Sequence, residues 1–231
     1  MIRAMQPARQ LPLKLPHRPE MTRADFIAGA ANERALAAID AWPASAAATV
    51  VAGPAGSGKT HLVEIWRAAS DAAVVSGATL RDSDVAGIVD AGAVAVEDID
   101  RGALDEAALF HLLNLAAERG APLLITTRTL PAALPLTVPD LASRLRAARL
   151  VELGEPDDDL RRRVLVKLFA DRQLTIEPAV LDYVVMRMER SLEAASLLAA
   201  AIDEETLAER APVTRKIAAR AMARVFNRAE D

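Results

Sequence analysis

The stretch Gly53-Pro-Ala-Gly-Ser-Gly-Lys-Thr60 decides how the rest of the chain is read. Glycines at 53, 56 and 58 permit tight turns and leave successive backbone N–H groups free to surround an anion. Lys59 carries a cation of the reach needed for β- and γ-phosphates, and Thr60 a hydroxyl suited to magnesium. The octapeptide meets the whole G-x-x-x-x-G-K-[ST] pattern. Gly53, Pro54, Ala55, Gly56, Ser57, Gly58, Lys59, Thr60 and the adjoining His61 are therefore candidate nucleotide contacts. A short apolar strand over 49–52 enters the loop and a helix over 59–69 leaves it, so a helix N-terminus faces the phosphates.

A second stretch, Val94-Ala-Val-Glu-Asp98, places two carboxylates at the end of another apolar strand, predicted over 93–96. Glu97 joins Thr60 as a candidate magnesium ligand, and Asp98 is placed to orient an attacking water. An aspartate is usual where Glu97 stands. The extra methylene displaces the carboxylate, and metal geometry is sensitive to such a displacement. Nucleotide binding is thus expected more firmly than turnover.

Further strands are predicted over 73–76, 122–126 and 149–153, and helices over 32–41, 104–118 and 141–147. Pro43 stops the first helix, Gly120 ends the 104–118 helix, and 129–139 is a proline-broken loop. Strands alternating with helices predict an α/β fold with a parallel sheet flanked by helices. From Glu155 the pattern becomes helical throughout, over 157–171, 178–187, 192–205 and 214–227. Three parts are expected: an extended arm over 1–20, broken by Pro7, Pro12, Pro16 and Pro19, an α/β domain over 21–154, and a small all-helical lid over 155–231.

Composition narrows the classes. The 231 residues are 52% hydrophobic and 26% charged, which describes a folded chain with a core. No apolar run of membrane-spanning length and no signal-peptide pattern is seen, so a cytoplasmic protein without membrane contact is expected. Cysteine is absent, and the three histidines, His17, His61 and His111, are too dispersed for a zinc site. A formal charge of -4 disfavours a protein that wraps nucleic acid, leaving DNA contact mainly indirect. Arg215, Lys216, Arg220, Arg224 and Arg228 read as the solvated face of the last helix.

With both nucleotide stretches and the helical lid in place, the chain resembles the AAA+ ATPases. Several segments resemble the DnaA-type bacterial replication initiator branch. Phe26-Ile-Ala-Gly-Ala-Ala-Asn-Glu-Arg-Ala35 resembles the segment before the sheet, which implies Asn32 near the adenine; at a helix start Asn32 also reads as a cap. Pro139-Asp-Leu-Ala-Ser-Arg-Leu145 resembles the segment bearing an arginine finger, which implies that Arg144 acts on a neighbour's γ-phosphate. Arg190-Ser-Leu-Glu-Ala194 resembles the lid motif, which implies Arg190 on the phosphates of the chain's own nucleotide. Leu123-Leu-Ile-Thr-Thr-Arg128 resembles the sensor strand but departs from it, with Thr127 or Arg128 where initiator relatives have an acid.

Gln10-Leu-Pro-Leu-Lys-Leu15 resembles the peptide that docks on the DNA polymerase III β sliding clamp, which implies polar contacts from Gln10 and apolar anchors at Leu11, Leu13 and Leu15. The combination resembles the clamp-bound regulators that inactivate a DnaA-type initiator, an AAA+ module without a DNA-binding domain. That resemblance implies ADP or ATP with Mg2+ in the chain's own site, stimulation of hydrolysis of initiator-bound ATP, and a place at the replisome. It leaves open a homodimer or higher oligomer. The alternatives are an AAA+ helicase loader or initiator-associated cofactor, and a non-catalytic module that binds the initiator.

Overall fold

The computed structural model describes residues 21–41 and 48–226. The arm over 1–20, with Gln10, Leu11, Leu13 and Leu15, lies outside the described residues, as do Pro43, Asn227 and Arg228. Five strands form one parallel sheet: β1 (Ala48–Ala52), β2 (Ala73–Ser76), β3 (Val94–Glu97), β4 (Leu123–Thr127) and β5 (Arg149–Glu152). Their order is β2-β3-β4-β1-β5. In register, Ala52 stands opposite Thr127 on one side and Glu152 on the other, and Val94 opposite Leu123. The sequence places all five strands within a residue or so of these bounds.

Alternation along the central strands divides the core between the two faces, because successive side chains point to opposite sides of a sheet. Val51, Ala95 and Leu124 pack with Leu36 and Ile39 of α1 (Glu33–Asp40) and Leu62 and Trp66 of α2 (Lys59–Ser70). Val50, Val96 and Ile125 face the other way. They meet Val85 and Val89 of α3 (Val85–Asp90), Leu109 and Leu112 of α4 (Glu106–Arg119), and Leu145 of α5 (Pro139–Ala147). The described central strands β1, β3 and β4 are almost wholly buried, as strands covered on both faces must be. The edges are less covered, with Val74 on β2 and Leu150 on β5 exposed.

Helix α3, preceded by a 3-10 turn over Asp82–Asp84, is absent from the sequence reading. Six residues containing Gly87 carry too little periodicity to declare a helix, and the packing of Val85 and Val89 stabilises it instead. Helix α5 begins at Pro139 rather than 141, because a proline at the first helical position gives up only an N–H that the helix leaves free. Glu106 holds that entry in place: its carboxylate accepts from the N–H of Thr137 and of Val138 and from the Thr137 hydroxyl.

The remaining helices are α6 (Asp158–Asp171), α7 (Pro178–Val185), α8 (Leu192–Glu209) and α9 (Arg215–Phe226). They enclose their own core, with Leu165, Phe169, Val184, Leu198, Ile202 and Ile217 buried in it. Asp157 and Ser191 cap α6 and α8 by accepting from Leu160 N and Ala194 N. Two of the basic residues of α9 are paired: Arg220 with Glu205 and Glu209, and Arg224 with Glu204 and Glu205. Among the described residues, no helix is long and apolar enough to cross a membrane.

Arg161 is buried between α6 and the end of α7. One guanidinium nitrogen donates to the carbonyls of Val185 and Met188, at 3.0 and 3.3 Å, and the other to Asp158. It thereby fixes the turn that leads from α7 to Arg190 and Ser191. Arg161→Ala strands both carbonyls and is expected to lower stability by about 1–3 kcal/mol, measured by urea denaturation. A change indistinguishable from zero would show that the turn holds without it.

Candidate nucleotide site

The loop after β1 is held at its base by Gly53 N, which donates to Thr127 O at 3.1 Å. Gly56 and Gly58 adopt left-handed φ of 67° and 102°, conformations that a Cβ opposes. The loop runs directly into α2, so the unpaired N–H groups of that helix face the same space. Lys59 is buried and folds across the loop, with Nζ donating to Gly53 O at 2.7 Å and Pro54 O at 2.9 Å. Burial pushes its pKa down, against the pull of Asp98, Asp100 and Glu193. A phosphate entering the loop competes with two carbonyls for this ammonium. Ser57 Oγ is buried without a hydrogen-bond partner among the described residues.

The acid pair lies beside the loop. Glu97, at the end of β3, accepts a hydrogen bond from Thr60, and burial pushes its carboxyl above the ordinary value. These are the two side chains read as magnesium ligands. A hydroxyl and a carboxylate in contact suit that ion in chemical kind. Among the described residues no group of three or more His, Cys, Asp and Glu gathers to hold a metal, so phosphate oxygens and water would complete its shell. Asp98 has a left-handed φ of 53°, its N–H donates to Thr126 Oγ1 at 2.9 Å, and its carboxylate lies 3.4 Å from Arg101.

Asp100 is missing from the sequence reading, though a third acid two residues beyond the pair was the available signal. Its Oδ2 accepts from Arg128 N at 2.8 Å and Thr129 N at 2.9 Å, which pins the loop leaving β4. Burial works to raise its pKa, but the hydrogen bonds from Arg128, Thr127 and Thr129 outweigh it and hold the carboxyl below the ordinary value.

A cavity of about 410 Å³ opens between the loop and the helical lid. Ala55, Gly56, Gly58, Lys59, Thr60 and His61 line it from the loop and α2, and Asp98, Arg101 and Arg128 from the ends of β3 and β4. Met21, Phe26, Ile27 and Asn32 line it from the segment before α1, and Val164, Leu168, Leu192, Glu193 and Ser196 from α6 and α8. The apolar members offer a surface for a base, and the glycine loop one for phosphates. The lining residues of α6 and α8 were not anticipated. Their distance along the chain hides them until the lid folds back.

Asn32 lines the cavity, but its polar atoms are already engaged. Oδ1 accepts from Gly29 N at 2.7 Å and Nδ2 donates to Ile27 O at 3.1 Å. It occupies the N-cap position of α1 without a capping hydrogen bond, so its role in this structure is to shape the turn over 27–29. That turn is tied down repeatedly: Arg163 donates to Ala28 O, Gly154 N to Ala31 O, and Lys167 pairs with Asp25. His61 Nε2 lies 2.9 Å from Thr22 O and its ring meets Phe26 edge-on at 5.0 Å. Burial pushes the imidazole below its ordinary value.

The lid touches the loop directly. Leu192 N donates to Gly56 O at 2.8 Å, and Ser191 fills the place where a Cβ on Gly56 would stand. Arg190, one residue earlier, is exposed and is not among the residues lining the cavity. Arg144 is exposed on α5, also outside the cavity, with its guanidinium 5.6 Å from the centre of the Phe110 ring. Gly53, Pro54, Ser57 and Glu97 belong to the loop and the end of β3 but are not among the residues lining the cavity.

No protein-family model and no curated protein matches the chain. Solved structures do. Domain III of the Thermotoga maritima replication initiation protein DnaA superposes with a TM-score of 0.75 at 17% identity, over 92% of this chain and 98% of that one. AMPPCP-bound DnaA from Aquifex aeolicus gives 0.62 at 17% identity, over 74% and 61%. The Thermotoga maritima RuvB Holliday junction branch migration motor gives 0.62 at 22%, over 75% and 60%. At these identities the likeness is one of fold, and the chain has the AAA+ P-loop fold that DnaA and RuvB share.

Two measurements check this geometry. Gly56→Ala imposes a left-handed alanine and displaces Ser191, at an expected cost of about 1–3 kcal/mol in urea denaturation. Combining it with Ser191→Gly is expected to restore part of the loss, and purely additive effects would argue against the contact. For His61, the folded pKa lies below the unfolded one, so unfolding takes up a proton in acid. Its contribution is fully present above about pH 6.5 and is lost as pH falls below that value. Thermal scans from about pH 8 to pH 5.5 are expected to show a larger loss for the native chain than for His61→Asn. Parallel profiles would count against a buried neutral imidazole.

Proposed function

We propose that this chain is a DnaA-related AAA+ regulator that holds a nucleotide in its own site and acts on the ATP of a DnaA-type initiator. Arg144 is the observation that favours this reading. It sits exposed on a helix anchored by Glu106, outside its own cavity, and with no carboxylate partner among the described residues. In this reading Arg144 serves a nucleotide on another molecule. The likeness to DnaA domain III over nearly the whole chain supports a counterpart of similar shape.

The chain's own nucleotide would sit with its base against Phe26, Ile27 and the lid, and its phosphates on the glycine loop, with Lys59 released from Gly53 and Pro54. Thr60 and Glu97 would hold Mg2+, which would offset part of the phosphate charge. Asp98 lies 3.4 Å from Arg101 and has a left-handed φ of 53°, and in this reading the site retains its nucleotide rather than turning it over. Bound ADP then braces the loop against Ser191 and Leu192. Arg190 serves this nucleotide only if the turn before α8 moves towards the cavity.

In this reading Gln10 to Leu15 tether the protein to a β sliding clamp on DNA. The tether raises the effective concentration of Arg144 near the initiator and confines the encounter to replicating DNA. The guanidinium meets the γ-phosphate of initiator-bound ATP and stabilises the charge that develops during hydrolysis.

Single-turnover hydrolysis of initiator-bound ATP, with DNA-loaded clamp, tests the proposal. The native chain is expected to accelerate it, and Arg144→Ala to lose about 10³-fold or more of that acceleration while its own ADP affinity stays unchanged. Equal acceleration by the variant would remove Arg144 from the role. Initiator binding without any acceleration would favour the non-catalytic module, and binding to a helicase instead of the clamp would favour a loader.

A further inference from the structure

Arg128 is the first residue beyond β4. The pairing of Ala52 with Thr127, closed by Gly53 N on Thr127 O, makes it leave the sheet beside the glycine loop. It lines the cavity together with Lys59, Thr60, Asp98 and Arg101. It forms no ion pair with a carboxylate among the described residues, whereas Arg101 lies at a long 3.4 Å from Asp98. The root of the Arg128 side chain is fixed, because Asp100 Oδ2 accepts from both Arg128 N and Thr129 N.

Nucleotide phosphates bring several negative charges, which P-loop sites offset with a divalent ion bridging the phosphate oxygens. A guanidinium is a permanent cation that donates two parallel hydrogen bonds to phosphate oxygens. Arg128 therefore supplies part of the same neutralisation from within the chain, with no carboxylate to give up first. Lys59 must first exchange its two loop carbonyls, at 2.7 and 2.9 Å, for phosphate oxygens. Acids stand nearby as well, but Asp98 is shared with Arg101 and Asp25 pairs with Lys167, whereas Arg128 carries its charge without a carboxylate partner among the described residues.

We propose that Arg128 takes the terminal phosphate of a nucleoside diphosphate in this chain's own cavity, so that binding does not depend on a divalent cation. This rests on reading the cavity as a nucleotide site. Asp100 is the positioning residue for Arg128.

The experiment is a fluorescence titration of the full chain with mant-ADP, at fixed ionic strength, in excess Mg2+ and in EDTA. For the native chain the Kd is expected to differ by less than about threefold between the two conditions, a small fraction of one charge-assisted hydrogen bond. Arg128→Ala is expected to raise the Kd by about tenfold or more in EDTA and much less in Mg2+, where the ion compensates. Arg128→Lys, which keeps the charge but loses the paired geometry, is expected to fall between. Because Arg128 is exposed, an unchanged urea midpoint shows that the variants are folded. A native Kd that rises tenfold in EDTA, or an Arg128→Ala effect equal in both conditions, overturns the inference while leaving the nucleotide site intact. Absence of binding in both conditions overturns the nucleotide reading itself, and this inference with it.

Discussion

The parallel pairing of β1 with β4 is the constraint on which the site depends. Ala52 stands against Thr127, and Gly53 N extends the ladder by one more hydrogen bond to Thr127 O. That bond sets where the glycine loop begins. The adjacent pairing of β3 with β4 then sets where the acids fall, since Thr126 Oγ1 receives the N–H of Asp98. Lys59, Asp98, Asp100 and Arg128 are thus brought together by neighbouring strands ending at one level. A one-residue slip of β4 would turn every buried side chain of that strand to the opposite face. Burial of all five residues of β4 holds the register.

Around this edge the protein closes a cavity with parts that are distant in sequence. The segment over 22–32 is anchored to α1 through Arg23 and Asp40, to α2 through Thr22 and His61, and to α6 through Asp25 and Lys167. Exposed ion pairs contribute little singly. Their value here is geometric, because each one joins the segment to a different element. Burial of Phe26, Leu36 and Ile39 against Trp66 and Leu62 supplies the larger stabilisation. On the opposite side, the Gly56 to Leu192 hydrogen bond joins the glycine loop to the start of α8.

The two acids beside the loop stand in different surroundings. Glu97 is half-buried with its charged form disfavoured, and Thr60 is its hydrogen-bond partner. Asp98 is turned into a left-handed conformation and lies near Arg101. Two carboxylates next to a phosphate loop are therefore present, while the cations close to them, Arg101 and Arg128, favour holding a charged ligand.

Some of this was legible in the amino-acid sequence. The glycine spacing from Gly53 to Thr60, the apolar runs ending at Ala52, Glu97 and Thr127, and the change to continuous helices after Glu155 were enough for the α/β fold and the phosphate loop. Those signals are local: a turn needs glycine at particular positions, and a doubly covered strand needs uninterrupted apolar residues. Helix α3 escaped because its stability comes from packing rather than periodicity. Asn32 was readable as important but not as the organiser of the turn over 27–29, since only the folded backbone brings Ile27 O and Gly29 N to its amide. Asp100, Arg128 and the cavity walls from α6 and α8 were likewise decided by tertiary structure. Their roles depend on which strand ends lie side by side and on the lid folding back over the loop, and sequence separation carries no record of either.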